Sequence, residues 1–105
     1  MYTIKLMNEF LHGVIWIYED GIASSWEKID NDPILKELNE KTMQLFSSYY
    51  EFDSHNKNCW FNEELEKGTK NEMLDLISKI KKRLNEINEG DFIVEDLETE
   101  HLLNL

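Results

Sequence analysis

The chain has 105 residues, of which 22 are acidic and 11 are basic, so its formal net charge is -11. A surface of this sign repels nucleic acid and anionic membranes and attracts basic proteins. Apolar residues make up 41% of the sequence, which excludes a chain too polar to bury a core, and the length fits a single domain spanning residues 1–105. The only cysteine, Cys59, has no partner for an intrachain disulfide, so the fold does not depend on an oxidising compartment.

The first ten residues, MYTIKLMNEF, include Lys5 and Glu9 and lack the long apolar run of a signal peptide. No stretch of the sequence approaches the roughly 20 apolar residues of a membrane span. One proline, four glycines and the absence of repeats leave no place for an interdomain linker. We therefore expect a one-domain cytoplasmic protein that binds neither membranes nor nucleic acid directly.

The first quarter of the sequence predicts three strands. Residues 2–6 alternate between apolar and polar, which is typical of a half-buried strand. Residues 14–18 (VIWIY) are apolar on both faces and predict a central strand with Trp16 in the core. The Asp-Gly pair at 20–21 predicts a tight turn, because glycine tolerates positive φ and aspartate bonds its own backbone. Residues 22–26 then return as the third strand of a meander.

The middle of the chain predicts a helix and a hairpin. Residues 30–33 (DNDP) favour a helix start, with short acceptors at the cap and a proline in the first turn, where its missing N–H does no harm. Apolar residues at helical spacing carry this helix to Ser48 or Tyr50. Residues 51–61 predict a β-hairpin whose five-residue connection is the polar run 54–58.

The last third predicts a second amphipathic helix and a short strand. Thr69 and Glu72 form a capping-box pattern at the expected helix start. Gly90 is expected to end this helix as a left-handed cap. Residues 92–94 favour a strand, and residues 96–103 a short helix or an extended tail. The order β-β-β-α-β-β-α-β predicts an α+β fold, a mainly antiparallel sheet with two amphipathic helices packed on one face.

No catalytic or cofactor motif occurs in the sequence. Asp53, His55 and Cys59 lie close together and could form a thiol nucleophile site or part of a zinc site. A structural zinc needs four ligands, however, and a catalytic thiol needs a base and a group that orients it. A small buried cysteine beside a solvated histidine is the simpler interpretation. We therefore expect a protein that is not an enzyme and holds no metal or cofactor. A small enzyme using Cys59 and His55 is a minor alternative, which predicts that Cys59→Ser abolishes activity.

Neighbouring charges have equally plain explanations. Carboxylate pairs capable of acid–base chemistry are expected by chance among 22 acidic residues, and none matches a calcium loop. These pairs are Glu63 with Glu64, Glu95 with Glu98, and Asp30 with Asp32. The basic run between Lys79 and Arg83 could contact phosphates, but the net charge opposes such binding, and a solvated helix face is the simpler interpretation.

The C-terminal residues are the most acidic part of the chain. Residues 89–100 contain six acidic and no basic side chains. Solubility alone would explain them, but complementarity to a basic partner is the interpretation we favour, because it speeds association and disfavours wrong partners. Trp26 and Trp60 lie beside turn or loop segments and are candidate anchors of such an interface.

Three segments, YTIKLMNEF, VIWIYEDG and GDFIVEDLETEHLL, give the chain its likeness to known proteins. In these segments it resembles the immunity proteins of bacterial contact-dependent growth inhibition systems. The resemblance implies stoichiometric neutralisation of a cognate toxin domain, often a nuclease, and carries over no individual functional residue. An acidic surface could occupy the cationic groups with which a nuclease holds phosphates.

We therefore expect a monomer or weak dimer that binds a basic toxin domain, by preference a nuclease, through side chains of the turn, the hairpin and the tail. The predicted partner-binding residues are Glu19, Asp20, Glu51, Asp53, Trp60, Asp91, Glu95, Asp96, Glu98 and Glu100. The alternative is a nonenzymatic acidic adaptor or regulator, including a DNA mimic, that binds another basic protein. Gene neighbourhood separates the two, because an immunity gene is expected directly downstream of a large secreted toxin gene.

Overall fold

The computed structural model describes residues 1–52 and 59–105 of an α+β domain, which confirms the predicted fold class. The elements in chain order are β1 (Tyr2–Leu6), β2 (Ile15–Glu19), β3 (Ile22–Ala23), α1 (Glu27–Asp30), α2 (Pro33–Ser47), β4 (Tyr50–Phe52), β5 (Cys59–Phe61), α3 (Glu63–Ile87), β6 (Phe92–Asp96) and α4 (Thr99–Leu103). None of the helices in the described ranges has the length and apolar character needed to cross a membrane.

The main sheet has the strand order β3-β2-β1-β6. β1 pairs antiparallel with β2 and parallel with β6, so the sheet is mainly antiparallel, as predicted, with one parallel edge. A parallel neighbour needs a long crossover that brings the chain back to the same end of the sheet. α3, with 25 residues, is the last helix of that connection and leads into the start of β6.

One face of the sheet forms the core with α2 and α3. Ile4 and Leu6 of β1 are fully buried there. The helices add apolar side chains at helical spacing, as the sequence predicted. The buried apolar residues of these two helices are Leu35 and Leu38 of α2 and Met73, Ile77, Ile80 and Leu84 of α3. The predicted packing of two amphipathic helices on one face is confirmed.

The core position expected for Trp16 is wrong. The β1–β2 register places Trp16 opposite Lys5, on the face away from the buried Ile4 and Leu6. The Trp16 ring is partly exposed and stacks on His12 with a centroid separation of 3.8 Å. The apolar run misleads because only the face of β2 that carries Ile17 packs into the core. On the opposite face, Trp16 stacks on His12 and donates its Nε1–H to the Met7 carbonyl at 2.9 Å.

The third strand is shorter than predicted, since β3 ends at Ala23. The chain turns instead into α1, where the Asp30 carboxylate accepts a hydrogen bond of 2.8 Å from the Trp26 N–H. The Trp26 ring stacks on Tyr2 at 4.0 Å and meets Phe92 edge-on. These ring contacts hold Trp26 against the core, so it does not have the free exposed surface expected of an interface anchor.

α2 begins as the sequence predicts. Asp32 Oδ1 caps the helix by accepting the Leu35 N–H at 2.9 Å, and Pro33 occupies the first turn. Asp32 also binds Arg83 of α3 through both carboxylate oxygens, the closest contact being 2.6 Å. This capping residue therefore fixes the start of one helix to the side of the other.

The predicted start of α3, with Thr69 as the capping residue, is wrong by seven residues. The helix begins at Glu63, where Asn62 Oδ1 accepts the Leu65 N–H at 3.0 Å. Thr69 lies inside the helix, and its hydroxyl donates to the Leu65 carbonyl at 2.8 Å instead of capping a terminus. The predicted end is also wrong, since α3 stops at Ile87. Gly90 has φ +86, but it serves the turn into β6.

The predicted hairpin is confirmed by the antiparallel pairing of β4 with β5. Tyr50 pairs with Phe61, and Glu51 pairs with Trp60. Its predicted connection, residues 54–58, lies outside the described residues.

Candidate functional site

The β2–β3 turn carries two of the predicted partner-binding residues, Glu19 and Asp20. The predicted tight turn is confirmed: Asp20 and Gly21 both have positive φ, +49 and +84. Asp20 Oδ1 lies 3.0 Å from the Met1 ammonium group. Glu19 pairs with Tyr2, at the start of β1, so this acidic turn stands at the end of the sheet where β6 also begins.

The acidic residues of β6 and the turn before it are paired with cations of the same chain. Asp91 Oδ2 lies 2.7 Å from Lys28 Nζ, and this hydrogen bond holds the pKa of Asp91 below its usual range. Glu95 lies 3.9 Å from Lys5 across the parallel strand pair. Much of the charge expected to be available to a partner is therefore balanced within the fold.

Asp96 has a structural role at the start of α4. Its Oδ1 accepts the N–H groups of Glu98 and Thr99 at 3.0 Å each, its Oδ2 accepts the Thr99 hydroxyl, and Lys81 Nζ lies 3.0 Å away. Burial raises the pKa of Asp96, but the hydrogen bonds from Thr99 and Lys81 outweigh this effect, and the pKa is lowered. Asp96 thus ties the last helix to β6 and α3.

Glu98 and Glu100 lie at the opposite end of the sheet from Glu19. Glu100 is exposed on α4. Glu98 is partly buried, and its Oε1 accepts the Asn8 N–H at 2.8 Å. Burial raises the pKa of the Glu98 carboxyl, while the Asn8 hydrogen bond acts against this. Glu98 is therefore the tail carboxylate that faces into the molecule instead of into solvent or toward a lysine.

A cleft of about 660 Å³ opens beside Glu98. The hairpin, the end of α2, the first turns of α3, and α4 surround it. The residues lining this cleft are Asn8, Phe46, Tyr50, Phe61, Glu63, Glu66, Lys67, Leu97, Glu98, His101 and Leu105. The cleft thus combines aromatic walls with carboxylates from two separate parts of the chain.

Glu66 is the most buried charged side chain of the cleft. The residue is only 5% exposed, and its Oε2 lies 3.2 Å from His101 Nε2. This contact joins the first turns of α3 to α4. Asn8 differs from Glu66 in that its side-chain oxygen, Oδ1, is buried and has no hydrogen-bond partner among the described residues. Leaving a buried acceptor unpaired costs about 1–3 kcal/mol.

The hairpin brings Glu51 and Trp60 directly opposite each other. Trp60 is 50% exposed, which agrees with its predicted use as an interface anchor. Its neighbour Phe61 lines the cleft, and successive side chains of a strand point to opposite faces, so Trp60 lies on the outer face of the hairpin. Asp53, the remaining predicted residue, lies outside the described residues.

Two other predicted clusters remain, the basic run from Lys79 to Arg83 and the group formed by Asp53, His55 and Cys59. In the basic run, Lys79 pairs with Asp75 on the same exposed helix face, as predicted. Arg83 departs from that prediction, because it is only 26% exposed and binds the buried Asp32 of α2. Within residues 1–52 and 59–105, no three His, Cys, Asp or Glu side chains are grouped to hold a metal ion. His55 lies outside these ranges, so the alternative with Cys59 stays a prediction.

Sequence reasoning missed Asn8, Glu66 and His101. Glu66 and His101 are 35 residues apart, and Asn8 and Glu98 are 90 apart, so no local spacing pattern relates them. The one available signal was a histidine inside the acidic tail.

No protein-family model matches this chain, and no curated protein or solved structure matches it either.

Proposed function

We propose that this chain is a nonenzymatic protein inhibitor of the immunity-protein type, which binds a basic toxin domain, by preference a nuclease, and neutralises it stoichiometrically in the cytoplasm. The chain would act as a monomer or weak dimer and make no direct contact with nucleic acid or membrane. The observation that carries the proposal is the exposed Trp60 beside carboxylates that have no ion-pair partner among residues 1–52 and 59–105.

The acidic residues divide into two groups. Asp91, Glu95 and Asp96 are close to lysines of the same chain. Around the hairpin and the cleft, the described part of the chain offers no ion-pair partner to the exposed carboxylates. These residues are Glu63, Glu64 and Glu100, together with the half-buried Glu51. We therefore assign docking to this group. Its members on the hairpin and the first turn of α3, which are Glu51, Glu63 and Glu64, form together with Trp60 what we call the hairpin surface.

The hairpin surface suits a partner that uses cations to hold phosphates. Its carboxylates would steer a basic domain into contact and accept hydrogen bonds from its lysines and arginines. Trp60 would supply the apolar anchor, since tryptophan carries a large share of the binding energy at many interfaces. We do not assign docking to the other predicted acidic residues, whose contact with a partner stays a prediction. Asp20, Asp91, Glu95 and Asp96 pair with cations of this chain, and Glu19 lies at the far end of the sheet.

The test is a pull-down from the native host with the tagged full chain, followed by affinity measurement on the recovered partner. We expect a basic nuclease-like fragment whose nuclease activity falls to zero at one equivalent of the chain. Trp60→Ala should weaken binding about thirtyfold or more, as loss of an anchor residue does. Glu51→Gln should weaken it less and reduce its salt dependence.

Two matched variants serve as controls. Ile34→Ala removes an apolar side chain of similar exposure, 47%, from α2. Glu40→Gln removes one exposed carboxylate from the same helix. Both should leave affinity unchanged. Recovery of a DNA-binding protein without toxic activity would instead favour the DNA-mimic alternative, and recovery of no partner at adequate expression would contradict the proposal.

A further inference from the structure

The cleft presents hydrogen-bond acceptors between aromatic walls. Phe46, Tyr50 and Phe61 pack edge-on or tilted against one another, with centroid separations of 5.2–5.8 Å. Carboxylates of Glu66 and Glu98 lie in the same cleft, and Glu98 is raised in energy as an anion by its burial. Such a site favours a ligand that is both flat and positively charged.

The charge balance of the cleft points the same way. Three carboxylates, Glu63, Glu66 and Glu98, line it against one ammonium group, that of Lys67. Lys67 is exposed, whereas Glu66 is buried, so the negative charge lies deeper than the positive charge. An anionic ligand would be repelled at that depth. A purely apolar ligand would remove water from Glu66 and Glu98 and leave each carboxylate only its contact with His101 or with the Asn8 N–H.

Among protein side chains, arginine fits these features best. Its guanidinium group has five N–H donors and no acceptor, pairs with carboxylates and stacks on aromatic rings. Asn8 lines the same cleft, and its buried Oδ1, which has no hydrogen-bond partner within the described ranges, is a further acceptor for such a donor. A cleft of about 660 Å³ is also of the size that encloses a ligand larger than one functional group.

We propose that the cleft receives an arginine side chain at the tip of a partner loop, with Glu98 and Glu66 as its carboxylate acceptors and Tyr50 and Phe61 as its aromatic walls. This inference rests on the proposed function and deepens it, because it names the group that the chain recognises. The hairpin surface, whose Glu63 also forms part of the cleft rim, would contact the partner around the opening, while the cleft would hold one inserted side chain.

The test uses the isolated full chain and a small probe, so it does not depend on finding the partner. We would titrate the ¹⁵N-labelled protein with N-acetyl-L-arginine amide and follow backbone amide shifts. The matched probe is N-acetyl-L-citrulline amide, which has nearly the same shape without the positive charge. We expect saturable shifts at residues lining the cleft with the arginine probe and not with the citrulline probe.

Variants then locate the binding. Glu98→Gln keeps an acceptor for the Asn8 N–H but removes the charge, and it should weaken binding of the arginine probe about tenfold. Glu63→Gln, at the exposed rim, is a second variant that leaves the buried Glu66–His101 contact intact and should weaken binding to a smaller extent. Glu40→Gln, outside the cleft, should bind the probe as the unmodified chain does.

Equal shifts with both probes, no saturable shift up to the solubility limit of the arginine probe, or full affinity in Glu98→Gln would overturn the inference. Any of these results would leave the proposed inhibition standing if a toxin is recovered and Trp60→Ala releases it. Conversely, arginine binding in the cleft without recovery of a toxin would support the cleft as a recognition site and contradict only the proposed function.

Discussion

Asp32 offers the sharpest test of how the two long helices are held together. It caps α2 through the Leu35 N–H and binds Arg83 on α3 through both oxygens. The Asp32 side chain is 7% exposed and that of Arg83 is 26% exposed. Asp32→Asn keeps a capping oxygen and removes the charge, whereas Asp32→Ala removes both. The two substitutions therefore separate the cap from the ion pair.

Magnitudes follow from this geometry. Breaking a fully buried pair costs about 3–5 kcal/mol, but the partial exposure of Arg83 lets solvent and Glu86, at 3.4 Å, compensate part of that loss. We expect Asp32→Asn to lower the free energy of unfolding by about 2 kcal/mol, as for a charge-assisted hydrogen bond. Asp32→Ala should lower it by about 1 kcal/mol more, through loss of the cap.

The assay is urea unfolding followed by circular dichroism, with Asp75→Asn as the control. Asp75 pairs with Lys79 on the same helix face, but both side chains are more than half exposed, so its loss should be barely measurable. A cost below about 0.5 kcal/mol for Asp32→Asn, or equal costs for the two Asp32 variants, would refute this account of the helix pair.

The pH dependence provides a further check on the same residue. Hydrogen bonds from Arg83 hold the pKa of Asp32 below its ordinary value of 3.8, although burial acts in the opposite direction. A lowered carboxyl pKa contributes stability that is present above the ordinary value and is lost as the pH falls through the folded-state pKa. The stability gap between the unmodified chain and Asp32→Asn should therefore narrow in acid below that value.

Two further predictions concern the β1–β2 loop and the cleft. Gly13→Ala should lower the free energy of unfolding by about 2–4 kcal/mol, because φ is +94 and a Cβ would lie 2.6 Å from Asn39 Oδ1, which accepts the Ile15 N–H. Gly21→Ala, at φ +84 in open space, should lower it clearly less in the same urea unfolding experiment. Glu98→Gln should gain stability relative to the unmodified chain as the pH rises above 4.5. Burial raises the pKa of Glu98, so the stability that its protonated form contributes to the unmodified chain is lost as the carboxyl ionises. An equal difference in unfolding free energy between the two proteins at about pH 4 and about pH 7 would contradict this.

Sequence signals were reliable where a few adjacent residues determine the backbone. The Asp-Gly turn at residues 20–21 and the start of α2 at Pro33 depend on local φ preferences and on a side chain three residues from its partner. The exposed position of Trp60 also follows from its place in a two-stranded hairpin. These features could be predicted because nothing distant competes with them.

The start of α3 shows where local signals fail. Thr69 and Glu72 have the spacing of a capping box, but Asn62 caps the helix seven residues earlier. Residues 63–68 include Gly68 and only one apolar side chain, so their sequence carries little helical pattern. Contacts from the end of the chain, such as His101 with Glu66, support those first turns. The same long-range contact builds the cleft, which is why neither could be predicted from the sequence.

The parallel pairing of β6 with β1 has a consequence for how the chain folds. β1 is made first, and its pairing with β2 needs only a short loop, but its other edge must wait for a strand that begins 90 residues later, at Phe92. Contacts of such long sequence separation slow folding. Until β6 arrives, the unpaired edge of β1 exposes backbone N–H and C=O groups that another chain can pair with, so the delay in making β6 is a period of aggregation risk.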